Sequence, residues 1–288
     1  MVVEQAYAVC RRLAATHYEN FPVASRLLPK ESRPHVAAIY AFARHADDLA
    51  DEGDAPAPAR IAALEEWEWR LHEAVSGRIV DDGSTAAAIF TALADTMARF
   101  NLDVRLFEDL LSAFCQDVVV KRYERWTDLL DYCRRSANPV GRLVLGVCRY
   151  RDHEKNEQSD AICTALQLTN FWQDLAIDWS RGRLYVPREL FAAAGADESA
   201  LDRREWTGAW QAALADATAR TRALFMEGRP LVDGVTGRLR HELRATWLGG
   251  MRILERLERH QFNAFTHRPR LGPADAVVIG WRSIRWRP

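Results

Sequence analysis

Val36-Ala-Ala-Ile-Tyr40-Ala-Phe-Ala-Arg44-His-Ala-Asp47-Asp48-Leu-Ala-Asp51 is apolar through its first half and acidic through its second. Residues 36–43 place apolar side chains on every face, which predicts a buried helix. Along such a helix Tyr40, Arg44, Asp47 and Asp51 fall within an arc of about 60°, and Asp48 lies beside them. Carboxylates spaced this closely repel one another, and burying them is costly unless cations answer them.

A second stretch poses the same problem. Residues 161–177 carry Ile162, Leu166, Leu168, Phe171, Trp172, Leu175 and Ile177, again the pattern of a buried helix. Gln167, Asn170, Asp174 and Asp178 form one polar stripe along it, at about 0°, −60°, −20° and 20°. Magnesium meets this need, because it prefers a few carboxylates together with water and phosphate oxygens. Two stripes of this kind make a site for a diphosphate, to which Arg44 and Arg183 add cationic donors. The chemistry they suit is leaving-group activation, with apolar walls keeping water from a cation. Either stripe alone reads equally well as ordinary surface salt bridges; the occurrence of both in such apolar helices argues for the site.

Helical periodicity extends over the rest of the chain, and no alternating strand pattern stands out. Expected helices run about 2–16, 20–28, 32–52, 58–76, 84–99, 103–123, 126–136, 139–151, 157–180, 203–226 and 238–264. Pro29, the Pro-rich stretch ending at Pro58, Gly77 to Gly83, and Gly182 with Pro187 punctuate them. The expectation is an all-α fold in a single domain, 1–288.

Bulk properties narrow the class. The 288 residues carry a net charge of −1, which gives no reason to expect a nucleic-acid partner. The five cysteines are widely spaced with no Cys-x-x-Cys pair, so neither a zinc site nor a disulfide framework is expected, and a reducing cytoplasm is the default. The N-terminus lacks the apolar core of a signal peptide, and no run approaches the length of a membrane span.

Four segments together resemble the squalene/phytoene synthase family over most of the chain. They are His17-Tyr-Glu-Asn-Phe21-Pro-Val-Ala-Ser-Arg-Leu-Leu-Pro29; Tyr40 to Arg44 with Asp47-Asp48-x-x-Asp51; Tyr132-Cys133 through Val140-Gly141; and Gln167-Leu-Thr-Asn170 through Asp174-x-x-x-Asp178 to Gly182-Arg183-Leu-Tyr185-Val-Pro187. The resemblance implies an isoprenoid-synthase helical bundle around a central apolar cavity, lined in part by the helix around Tyr132. It implies magnesium held by Asp47, Asp51, Asp174 and Asp178, with Asp48 and Asn170 supporting. Arg44, Gln167, Asn170 and Arg183 would hold diphosphate or its metal shell, and Phe21, Tyr40 and Tyr185 would border the substrate.

The chain departs from the family pattern at three places. Gln173, preceded by Trp172, stands where arginine is common. Ser136-Ala137-Asn138-Pro139 stands where a small Ala-Gly pair is common, and Asn20 where serine is common. Amides at Asn138 and Gln173 are suited to positioning water. This combination is similar to the bacterial hydroxysqualene-forming branch of the family, in hopanoid biosynthesis. Its members ionise presqualene diphosphate, rearrange the cation and capture it with water, without a reductant. The sequence likewise shows no Gly-x-Gly-x-x-Gly fingerprint. The alternative is a synthase that condenses two prenyl diphosphates to presqualene diphosphate, dehydrosqualene or phytoene.

Two further features carry open readings. Trp172 and Trp179 flank the second stripe as core residues or as an aromatic face for a carbocation, with packing favoured; His45, beside the first stripe, reads as structural or as a support for the residues that bind. The C-terminal Val277-Val-Ile-Gly-Trp281-Arg-Ser-Ile284-Arg-Trp286-Arg287 suits either a membrane interface or a helix docked on the protein. The expected setting is the cytoplasm, with peripheral contact at the inner membrane face and neighbouring pathway enzymes as partners.

Overall fold

A computed structural model of the chain describes residues 2–16, 27–51 and 53–286, and every regular element among them is α-helical. In order these are α1 (Val3–Thr16), α2 (Arg33–Asp51), α3 (Ala57–Val75), α4 (Thr85–Phe100), α5 (Arg105–Val119), α6 (Trp126–Ser136), α7 (Asn138–Val147) and α8 (His153–Gln173). There follow α9 (Leu175–Ser180), α10 (Arg188–Ala193), α11 (Glu198–Asp202), α12 (Gly208–Gly228), α13 (Pro230–Gly234), α14 (Gly237–Arg259) and α15 (Pro273–Ile284). No helix among the described residues is long and apolar enough to cross a membrane. The chain divides into two compact units, Met1–Val119 with Pro139–Asn156 and Val120–Asn138 with Glu157–Pro288.

In the first unit α2 packs against α1, α3, α4 and α5. Its buried side, from His35 and Val36 to Ala46 and Ala50, is rich in alanine, which lets neighbouring helices approach closely. Phe42 provides the bulk there. Its ring meets Phe107 edge-on at 5.3 Å and stacks on Trp67 at 5.9 Å, and Trp67 lies 4.4 Å from Phe90. Ser84 caps α4 by accepting the Ala87 N–H at 3.1 Å, and Asn101 ends it in the left-handed conformation at φ 46°.

A buried polar knot ties α1, α2 and α4 together. The Tyr7 hydroxyl donates to Asp95 at 2.7 Å and lies 2.8 Å from both His35 Nδ1 and Thr96 Oγ1. With the Tyr7 proton committed to Asp95, its oxygen accepts from its neighbours, which puts the His35 proton on Nδ1. Burial raises the Tyr7 pKa. Burial, followed by the charge of Arg99, lowers that of His35 against the opposing pull of Asp95.

In the second unit α12 packs against α10 and α14, and α14 against α13 and α15. Trp172, Trp210 and Phe225 are fully buried. Trp172 donates to Thr221 Oγ1 at 2.8 Å, so its one polar atom is satisfied inside the core. Gly228 permits a close approach to α8, since a Cβ there would stand 2.5 Å from the Gln158 carbonyl oxygen and 2.5 Å from Ile162 Cγ1. The C-terminal helix is clasped by charge. Asp275, fully buried, accepts from Arg252 at 2.7 Å, Arg256 at 2.5 Å and the Gly272 N–H at 2.8 Å. The Gly272 amide, then Arg252 and Arg256, hold its carboxyl well below the usual range against the cost of burial.

Several expected boundaries move. The helix expected over 157–180 breaks at Asp174 into α8 and α9. Residues 203–206 precede the Thr207 cap of α12, the segment after Val119 leaves the helix, and the helix expected to end at 264 stops at Arg259. The helix expected over 20–28 falls mostly outside the described residues; Leu27 and Leu28 are not helical.

Two stability tests follow from this packing. Gly228→Ala should destabilise by about 1–3 kcal/mol through overpacking, whereas Gly280→Ala, in open space on α15, should stabilise by about 0.5–1 kcal/mol. Urea midpoints moving in the same direction would contradict the assignment. The unfolded chain binds a proton at His35 that the folded chain resists, so stability should fall as pH drops below about 6.5. His35→Gln should flatten that slope; an unchanged slope would show that other groups set it.

Candidate active site

The first acidic stripe sits in the last two turns of α2. The Arg44 guanidinium lies between two of its carboxylates, 3.2 Å from Asp47 and 2.6 Å from Asp48. All three side chains are partly solvated, the regime in which an ion pair contributes little net stability. Such a pairing offsets part of the stripe's negative charge and can be exchanged for another cation at small cost. Asp51 closes the helix at an exposed position, and Tyr40 stands half-buried one turn before Arg44. His45 leans on Trp67 at 4.2 Å, and burial lowers its pKa despite the nearby Asp48 charge. That is the structural role its sequence context suggests.

The second stripe belongs to the second unit and is less regular than an unbroken helix. Asn170 still accepts the Asp174 N–H at 2.9 Å, but Asp174 itself adopts φ −102° and ψ 12°. Its carbonyl takes both the Ile177 N–H at 2.8 Å and the Asp178 N–H at 2.9 Å, tightening the turn into α9. Asp174 therefore lies at a helix junction rather than mid-helix. Its largely buried side chain accepts from Arg268 Nε at 2.5 Å. Nothing in the sequence reading pointed to Arg268, which is 94 residues away and in no periodic segment. The available signal was a loop, His267-Arg-Pro-Arg270, with two arginines and no acid.

Beyond α9 the chain turns at Gly182, φ 75°, where the left-handed conformation favours glycine. The Arg183 N–H returns to the Asp178 carbonyl at 2.8 Å. Tyr185 is buried and stacks on Phe171 at 3.7 Å, nearly parallel, with Tyr123 at 5.9 Å and Tyr132 at 6.2 Å. Tyr185 and Tyr132 were expected near substrate; Phe171 and Tyr123 complete the aromatic cluster and were not. Gln167 and Gln173 are half-buried. Asn138 is buried, and its Oδ1 accepts the Thr164 hydroxyl at 2.8 Å, which fixes the amide's orientation. Trp172 is core, and Trp179 carries the guanidinium of Arg122 5.1 Å from its ring centre. Phe21 and Asn20 lie outside the described residues.

Among the described residues no three His, Cys, Asp or Glu side chains converge into a cage for a metal ion. Each stripe instead offers a few hard oxygen donors with an arginine already on them. That suits a cation which brings the rest of its shell as water and phosphate oxygen.

A model of the squalene/phytoene synthase family matches residues 14–275. Hydroxysqualene synthase of Zymomonas mobilis is 38% identical over 72% of this chain and 67% of its own length. The 15-cis-phytoene synthase of Synechococcus elongatus is 28% identical over 98% of this chain and 91% of its own. The crystal structure of squalene synthase HpnC from Alicyclobacillus acidocaldarius superposes with a TM-score of 0.83 at 41% identity, covering 90% of this chain and 95% of that one. The chain belongs to the squalene/phytoene synthase family, whose enzymes act on prenyl diphosphates.

Proposed function

We propose that the chain is a hydroxysqualene synthase. It ionises presqualene diphosphate, rearranges the cyclopropylcarbinyl cation, and captures the product cation with water to give hydroxysqualene and diphosphate. The observation that carries the reading is the pair of acidic stripes, each paired with an arginine, in a chain 38% identical to the Zymomonas mobilis enzyme of that name. The amides of Asn138 and Gln173, where the family commonly has other residues, support water capture over condensation.

Magnesium fits the donor set of both stripes, with Asp47, Asp48 and Asp51 on one and Asn170, Asp174 and Asp178 on the other. When bound it supplies positive charge to the oxygens of the departing diphosphate. The protein's own part is to hold that leaving group. Arg44 and Arg268, now on Asp47, Asp48 and Asp174, would be available as donors to phosphate if those carboxylates held the metal. Arg183 and the amides of Gln167 and Asn170 add further donors. Tyr40 and Tyr185 would border the apolar chain. Asn138, its oxygen committed to Thr164, presents its N–H groups in a fixed direction for orienting water. The reading takes 1–288 as one catalytic domain whose activity depends on both stripes.

Peripheral membrane contact at the cytoplasmic face belongs to the same proposal. On α15, Val277, Trp281 and Ile284 are 73%, 55% and 85% exposed along one stripe, with Arg285 over the Trp281 ring at 4.7 Å. The opposite side docks through Asp275, while Trp286 lies against Arg229 and Arg244. At about 0.8 kcal/mol per buried methylene, a thirty-carbon substrate favours delivery along a membrane, from one pathway enzyme to the next.

Purified protein with magnesium and presqualene diphosphate, without NADPH, should yield hydroxysqualene by mass spectrometry and leave farnesyl diphosphate untouched. Consumption of farnesyl or geranylgeranyl diphosphate alone would establish the condensing reading instead, with which the similarity to phytoene synthase over 98% of the chain is consistent. Asp47→Asn and Asp174→Asn should each lower turnover by about 100-fold or more without loss of helical circular dichroism; near-normal rates in either would refute the site. Removing residues 277–288 should abolish sedimentation with anionic vesicles, and unchanged sedimentation would dismiss the membrane contact.

A further inference from the structure

Asp178 and Arg183 are held by a segment that cannot hold itself. Asp178 lies in α9, only six residues long, and Arg183 follows it in a loop. A short helix and a loop keep fixed positions only through contacts from outside. In the second unit several of those contacts come from one side chain, Arg122.

Its Nη1 donates to the Gly182 carbonyl at 2.6 Å and to the Lys121 carbonyl at 2.9 Å. Its Nε donates to Glu198 Oε1 at 3.1 Å and its Nη2 to Oε2 at 2.9 Å, the forked geometry that only arginine provides. The guanidinium lies over the Trp179 ring at 5.1 Å. Trp179 follows Asp178 and Gly182 precedes Arg183, so one planar group touches the immediate neighbour of each. The backbone supports it: Arg122 and Leu184 form a parallel bridge, and the Leu184 N–H reaches the Lys121 carbonyl at 3.0 Å. Two residues on, the Arg188 N–H reaches the Tyr123 carbonyl at 2.9 Å.

We infer that Arg122, locked by Glu198, is a positioning residue that straps the turn after α9 and so sets Asp178 and Arg183 to hold the leaving diphosphate. The strap itself is a matter of geometry; its catalytic meaning rests on the function proposed above. Lysine at 122 keeps the charge and one donor for Gly182 but loses the fork to Glu198, so it should restore only part of the effect. The apolar chain of the substrate dominates its binding, while the diphosphate grip matters most as the carbon–oxygen bond breaks. A loosened strap should therefore lower kcat and spare KM.

The loop carries its own reporter, since Arg181 and Arg183 are trypsin sites. Native-state cleavage after these residues, mapped by mass spectrometry, should quicken about tenfold or more in Arg122→Ala relative to cleavage elsewhere. Turnover should drop about 10- to 100-fold, with KM within about twofold, and Arg122→Lys should fall between. Should Arg122→Ala fail to fold, Glu198→Gln, which leaves the Gly182 contact in place, should give the same pattern more weakly. A loop no more cleavable than in the unaltered protein would overturn the inference, as would a loosened loop with unchanged kcat. Loosening in a protein that turns over no prenyl diphosphate, even unaltered, would support the strap while sinking the functional reading.

Discussion

Carboxylates crowded on one partly buried helical face need a countercharge, and both acidic stripes are organised around that need. Arg44 answers Asp47 and Asp48 from within its own helix, and Arg268 reaches Asp174 from a distant loop. Neither pairing is buried deeply enough to be strongly stabilising. The arginines keep the folded chain from paying for like-charge repulsion while the carboxylates remain available to a metal. Under the function proposed above, the same arginines would turn to phosphate oxygens when substrate binds.

Residues around the stripes divide between packing and chemistry. Trp172, next to the stripe in sequence, is buried with its N–H on Thr221 and belongs to the core. His45 leans on Trp67 in the same way. The stacked pair of Phe171 and Tyr185 joins the end of α8 to the turn after α9, so the packing that stabilises this unit also sets the walls beside Asp178 and Arg183. Arg122 and Glu198 add the polar half of that fixation.

What the sequence made legible was whatever depends on local periodicity. The all-α fold and the helix bearing Asp47, Asp48 and Asp51 follow from spacing and punctuation alone, whereas Tyr185 was singled out only by the family resemblance. The break at Asp174 was hidden, because an aspartate flanked by apolar residues breaks no helical rule; the turn comes from how its carbonyl is shared between Ile177 and Asp178. Arg268 and Arg122 were hidden for another reason. Each acts across 60 or more residues of chain, on Asp174 and on Gly182, and no periodicity links positions so far apart. The C-terminal helix docks through Asp275 on one side and leaves Val277, Trp281 and Ile284 exposed on the other.

The central claim is that both stripes recruit diphosphate through metal, not through arginine alone. Titration calorimetry with inorganic diphosphate tests it without any turnover. The account predicts heat of binding only when magnesium is present, with that signal lost in both Asp47→Asn and Asp174→Asn. Equal binding without magnesium, or binding indifferent to either aspartate, would contradict it.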